Sequence, residues 1–168
     1  MKKIMIITLA LAMSLSITAC NQKNNENKEV NSSTTVGGVQ IANPFVECET
    51  LEAAAEIAGF TIEASAPDWV EKTVIRAIKD NMIEIIYKNS DKEIRVRKGS
   101  SEEDISGLYE NFEVEENISI DDKTITIKGS ENAVKVAIWE KDKYSFAVVA
   151  KDGIEREEME NIIQGILN

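Results

Sequence analysis

The spacing of apolar residues changes character along this chain, and each change predicts an element. Ile4 to Leu15 is an almost unbroken apolar run behind Lys2 and Lys3. Asn21 to Gly38 (NQKNNENKEVNSSTTVGG) holds almost nothing apolar, so it cannot offset the entropy cost of becoming ordered. From Leu51 the apolar positions recur at helical spacing. Leu51, Ala54, Ala55 and Ala58 share one face, Thr50 can cap the first turn and Gly59 can end the last. Beyond that point the period drops to two. Phe60 to Ala64 reads as a short strand, and Pro67-Asp68 breaks the chain before the next run.

The middle of the chain reads as hairpins. Two-residue loops at Asp80-Asn81 and Ser90-Asp91 put Val74, Ile78, Ile83, Ile85, Tyr87, Ile94 and Val96 on one core-facing side. On the other side Lys88 then stands opposite Glu93 and Glu84 opposite Arg97, a solvated charge ladder. Arg95 and Arg97 suggest an anion site at first sight, but this register gives Arg97 a structural partner. Gly99 to Gly107 is a polar connection in which Ser101 can cap a helical turn. Strands follow at Phe112 to Ile120, Lys123 to Lys128, Ala133 to Glu140 and Lys143 to Ala150. Their tight turns are Asp121-Asp122 and Lys141-Asp142, and the second sets Glu140 opposite Lys143 and Trp139 opposite Tyr144. Tyr144 to Ala150 is apolar on both faces, as a central strand covered by a helix should be. That helix is expected from Ile154 to Leu167, with Asp152 as cap, Glu155 completing a capping box, and Met159, Ile162, Ile163, Ile166 and Leu167 as its buried stripe. The predicted fold class is α+β: an antiparallel meander of about six to seven strands, with an N-terminal and a C-terminal helix packed on the sheet.

The two stretches before this domain carry an address. Cations, then an apolar core too short for a comfortable membrane span of about 20 residues, then small residues before a cysteine, are the ordered parts of a secretory signal. Ile17-Thr18-Ala19-Cys20 resembles the lipobox of bacterial lipoproteins, in which the cysteine is acylated and becomes the first mature residue. The expected organisation is a signal peptide over 1–19, a lipidated Cys20 with a disordered polar tether over 20–38, and one globular domain over 39–168. The expected location is the extracytoplasmic face of a cell membrane, anchored by palmitate-type acyl chains. Dual acylation gives a stable anchor, because each buried methylene adds about 0.8 kcal/mol. A coil of this length reaches about 25 Å, which holds the domain just off the bilayer.

Composition then removes function classes. The formal charge is −11, and −13 once Lys2 and Lys3 leave with the signal. Such a surface repels phosphate backbones, so no nucleic-acid partner is expected. The chain has no histidine and only two cysteines. Ser-His-Asp and Cys-His pairs, zinc ligand sets and His-Glu-x-x-His helices are therefore absent, as are glycine-rich phosphate loops. With Cys20 consumed by lipid, Cys48 has no intramolecular disulfide partner and reads as a small buried cysteine near a helix start. Acidic groups at Glu102-Glu103-Asp104, Glu113 with Glu115-Glu116, and Asp121-Asp122 match no calcium loop. No cofactor, metal or catalytic residue is expected. Trp69, Tyr109, Trp139 and Tyr144 are the candidate contact residues for a peptide, protein or wall ligand.

Three segments also carry a resemblance: NPFVECETLEAAAEIAGF, MIEIIYKNSDKEIRVRKG with the following EEDISGLY, and AVKVAIWEKDKYSFAVVAKDGIEREEMENIIQGIL. Together they resemble a bacterial domain-of-unknown-function family, of the 4367 type. Its members occur as lipoproteins and at the C-terminus of anti-sigma-factor-like membrane proteins. The resemblance runs from Asn43 to Leu167 and implies no activity. The chain departs from the family pattern at Asp142-Lys143, where relatives have a glycine-containing turn between aromatics. It departs again after Ala64, where only Pro67 stands in place of a proline-rich stretch. The expected function is a tethered, non-catalytic binding or sensing module. A carboxylate-dependent envelope hydrolase and a carrier of lipid or apolar molecules are the alternatives.

Overall fold

Alternating side chains build an antiparallel sheet of eight strands, one or two more than the sequence predicts. The computed structural model describes residues 43–167, together with the backbone of Thr35–Val36 and Val39–Gln40, which pair as two-residue strands. The chain divides into two units, Met1–Ile41 and Ala42–Asn168. The expected signal peptide, Cys20 and most of the expected tether lie outside the described residues.

In the second unit the elements are β1 (Val46–Cys48), α1 (Leu51–Ala58), β2 (Lys72–Ile78), β3 (Met82–Lys88), β4 (Glu93–Gly99), β5 (Val114–Ile120), β6 (Lys123–Gly129), β7 (Val134–Lys141), β8 (Tyr144–Ile154) and α2 (Arg156–Leu167). Their order across the sheet is β1-β2-β3-β4-β8-β7-β6-β5. Two meanders thus join where β8 pairs with β4. Central placement explains why β8 is apolar on both sides: Ser145 through Ala150 are all buried.

Helix α1 forms where the pattern placed it. Thr50 Oγ1 accepts from the Ala53 amide at 3.2 Å, and Gly59 at φ 81° closes the last turn with its N–H donating to the Ala55 carbonyl. Helix α2 starts later than predicted. Ile154 pairs with Val134 and is buried, so β8 runs through Asp152, and that residue does not cap the helix. The Glu155 carbonyl instead accepts from the Met159 amide, and Glu157 and Glu158 lie at the positive end of the helix dipole.

Two turns and two strands differ from the sequence reading. The β2–β3 connection has three residues, with Asp80 at φ 53°, and Ile78 pairs with Met82. One extra loop residue rotates β2 by one position. Ile75 and Ala77 therefore face the core beside Ile85 and Ile83, while Val74 and Ile78 turn to the opposite face. At β7–β8 the turn is Asp142-Lys143, a slip of two that preserves the faces but sets Trp139 opposite Phe146 instead of Tyr144. Phe60 to Ala64 is not a strand, while Val46–Cys48, ahead of the first predicted helix, is one and pairs with β2. The β3–β4 and β5–β6 registers follow the prediction, including Lys88 opposite Glu93 and Glu84 opposite Arg97.

The core lies between the sheet and both helices. Ala54 and Ala58 of α1, and Met159, Ile162, Ile163 and Ile166 of α2, pack on Ile83, Ile85, Val96, Ala137, Phe146 and Val148. The other face, here called the outer face, carries no helix among the described residues. The connection from β4 in the middle to β5 at the far edge crosses this face and covers part of it, held by Arg97 through the Ile105 and Ser106 carbonyls. Ile105 and Ser106 of that connection are buried.

Candidate functional site

The crossing loop makes two places on the outer face. The first is a row of charges on neighbouring strands: Glu47, Arg76, Glu84 and Arg97 are successive cross-strand partners. Glu84 is fully buried, and each carboxylate oxygen takes a guanidinium, Oε1 from Arg76 and Oε2 from Arg97 at 2.6 Å. The ladder predicted as solvated is therefore a covered triad. Arg97 Nη1 also donates to the Ile105 and Ser106 carbonyls at 2.9 and 2.5 Å, fastening the loop. A β-carbon on Gly107, at φ 70°, would come within 2.8 Å of that same nitrogen. Arg76 is stacked 4.2 Å over the Phe45 ring. With every strong partner internal, this cluster holds structure together and offers no open anion site.

The second place is a groove of about 460 Å³ between the loop and the β5 end of the sheet. Glu102, Glu103 and Asp104 form one wall, Glu115 of β5 the other, and Thr124, Thr126 and Ser145 lie between, with Glu140 at one end. Lys128 reaches into it, 3.6 Å from Glu115 and 3.9 Å from Asp104. The groove thus already accommodates one ammonium. Beside it runs β5, the edge of the sheet, with Glu115, Glu116 and Asn117 exposed and, among the described residues, no neighbouring strand on its outer side. The wall acids are well solvated: the side chains of Asp104 and Glu115 are 37% and 59% exposed. No group of three or more histidine, cysteine, aspartate or glutamate side chains among the described residues is arranged to hold a metal ion.

The four aromatic candidates do not converge. Tyr109 stands almost free on the crossing loop, at 90% exposure. Trp139 is buried on the helix face, stacked on Phe146 with ring centres 5.3 Å apart, and its Nε1 has no hydrogen-bond partner. Tyr144 lies 4.9 Å from Phe60, with the Lys98 ammonium 4.2 Å above its ring. Trp69 is half-buried against α2 beneath Lys92, 5.5 Å from ring to ammonium. Only Trp139 and Tyr144 share surroundings, through Phe146. Sequence reasoning missed Lys98 altogether, although its place in β4 next to an aromatic-rich strand was a usable signal. Cys48 is partly buried; desolvation pushes its thiol up, as does the nearby charge of Glu47, against a hydrogen bond involving Ala77.

Among the described residues no helix is long and apolar enough to cross a membrane. A family model described as a domain of unknown function, DUF4367, matches residues 66–166. The match takes in β2 through almost all of α2 and leaves β1 and α1 outside. No curated protein matches the chain, and no solved structure does.

Proposed function

The chain belongs to the DUF4367 family, and from that premise we propose that it is a lipoprotein, held through Cys20 on the extracytoplasmic face of the membrane, that serves as a non-catalytic binding module. Its ligand is an extended peptide segment carrying lysine or arginine at alternate positions. The observation that carries this reading is the edge of β5, unpaired among the described residues, running beside a groove walled by carboxylates. Backbone pairing along β5 supplies affinity without regard to sequence, and side chains projecting every second residue supply specificity. The face of β5 that meets the groove presents Glu115, Asn117 and Ser119, so alternate cations on an added strand land against Glu115 and the loop acids. Well-solvated carboxylates suit charge recognition better than acid catalysis, which needs a desolvated acid. Buried side chains of the sheet and both helices pack into one cluster, and the hollows beside it carry Glu52, Thr61, Glu63, Lys98 and Lys141 in their linings, which does not favour the apolar-carrier reading.

The test uses the full lipidated chain in lipid vesicles and a peptide of alternating lysine and threonine. Binding is expected to protect the amides of Val114–Ile120 from hydrogen exchange, and the double substitution Glu103→Lys/Glu115→Lys should weaken it at least about ten-fold. Cys20→Ala should release the protein from cell membranes without changing peptide affinity. Binding that leaves β5 unprotected, or that survives the charge reversal, refutes the site.

A further inference from the structure

On the helix face, far along β4 from its start, lies a small cavity of about 240 Å³. Two ammonium groups border it. Lys98 donates to the Thr61 carbonyl at 2.7 Å and sits 4.2 Å over Tyr144, with the Phe60 and Phe146 rings each 5.5 Å away. Lys141 donates to the Leu167 carbonyl at 3.0 Å. Among the described residues neither has a carboxylate within ion-pair distance, in a chain whose net charge is −11. Each of these ammoniums has three N–H donors and one carbonyl partner. Glu63 and Asp142 line the same cavity.

Burial pulls Lys98 below the ordinary lysine value and the charge of Lys141 adds to that, while Asp142 and Glu63 work against it. The two ammoniums have Glu63 and Asp142 on the same cavity but, among the described residues, no ion-paired counter-ion to offset the burial of Lys98. An anion placed between them supplies it, yet a simple anion would also face two carboxylates. A ligand with both charges a few bonds apart satisfies all four. The volume falls below the roughly 300 to 1,000 Å³ taken by drug-sized ligands, which limits the occupant to a small molecule, and the rings of Tyr144 and Phe146 offer an apolar surface for a short side chain.

We propose that this cavity binds a small zwitterion of the free amino-acid class, with its carboxylate on Lys98 and Lys141 and its ammonium toward Glu63 and Asp142. The site is separate from the β5 edge and does not depend on it.

The experiment titrates the full chain calorimetrically with each of the twenty free amino acids. The tightest is then compared with the matching amine that lacks the carboxylate and the matching acid that lacks the amine. At least one amino acid is expected to bind with Kd below about 1 mM, and both analogues should be at least about ten-fold weaker. Lys98→Met and Lys141→Met should each lower affinity by a similar factor, with thermal melts confirming that each variant is folded. Glu63→Gln, on an exposed residue, should weaken the amino acid but not the amine-free acid. Nitrogen NMR of the lysine ammonium groups should show Lys98 regaining proton affinity when the ligand binds. Absence of binding at 10 mM for all twenty, or affinity unchanged in both lysine variants, overturns the proposal. So does an amine-free acid that binds as tightly as the amino acid, because the site then reads one charge only.

Discussion

Replacing Glu84 with glutamine keeps the shape of the side chain and removes its charge, leaving two guanidiniums with no counter-ion on a covered face. The side chain of Arg97 is 11% exposed and that of Arg76 25%, against 0% for Glu84. Breaking a buried pair from one side costs about 3 to 5 kcal/mol, mostly because the remaining charge is stranded. At about 4 °C per kcal/mol, between the values for smaller and larger domains, Tm should fall by roughly 12 to 20 °C. The three members are not equivalent. The triad carries one excess positive charge, so Arg76→Met leaves a neutral pair of Glu84 with Arg97 and should cost only about 1 kcal/mol. Arg97→Met strands Glu84 less, because Arg76 remains, but it orphans the Ile105 and Ser106 carbonyls, each worth about 1 to 3 kcal/mol when buried. Glu84→Gln and Arg97→Met are therefore expected to cost comparably, and each more than Arg76→Met. Urea unfolding with an unchanged m-value measures these costs, and hydrogen exchange at Ile105 to Leu108 should rise selectively in the Arg97 variant. A Glu84→Gln protein within about 0.5 kcal/mol of the parent, or one less affected than Arg76→Met, refutes the reasoning.

Two further changes probe other parts of the fold. Asp121 and Asp122 both hold left-handed backbone, at φ 46° and 61°, the geometry that favours Asn-Gly, so Asp121→Asn/Asp122→Gly should raise stability by about 0.5 to 1 kcal/mol in urea melts; a loss instead would mean that the aspartates have a use beyond the turn. At Glu93, burial pushes the carboxyl up, but hydrogen bonds from Lys88 and Arg95 and their charges outweigh it and hold the group below its ordinary 4.5. The folded value is the lower one, so this stabilisation is present above pH 4.5 and is lost as pH falls through the folded value. Glu93→Gln should therefore flatten the acid limb of the stability profile, and parallel acid limbs in the two proteins would contradict the assignment.

What the sequence revealed divides by the range of the interaction. Turn chemistry at Asp121-Asp122 and caps at Thr50 and Gly59 are decided within a few residues, and there expectation and structure agree. The β2 register could not be decided so locally. Val74, Ile75, Ala77 and Ile78 make the strand apolar on both faces, so the pattern accepts either register, and a single residue in the Asp80 loop chooses between them. Phe60 to Ala64 alternates as well as any strand, yet the partners that would make it one are taken. Thr61 and Ala64 give their carbonyls to the side chains of Lys98 and Tyr87. Asp152 had the chemistry of a cap, but pairing of Ile154 with Val134 kept the chain in the sheet past it.

The candidate sites were less legible for the same physical reason. Glu84 opposite Arg97 was readable from register alone, and what changed its meaning was the cover above it. That cover exists because β8 returns to the middle of the sheet and leaves β5 at the far edge, a consequence of pairing across some 50 residues. The same topology turns Glu102, Glu103 and Asp104 from solvated loop charge into one wall of a groove whose other wall is Glu115. The sequence pattern sets Tyr144 against Trp139 and offers both as contacts for a partner, whereas Tyr144 and Phe146 spend their faces on the Lys98 ammonium. Local charge signs therefore name the chemistry that each segment can offer, and the strand order decides which of it stays open to a ligand: the β5 edge and the Lys98 cavity remain accessible, while the arginines that first suggested an anion site are already satisfied.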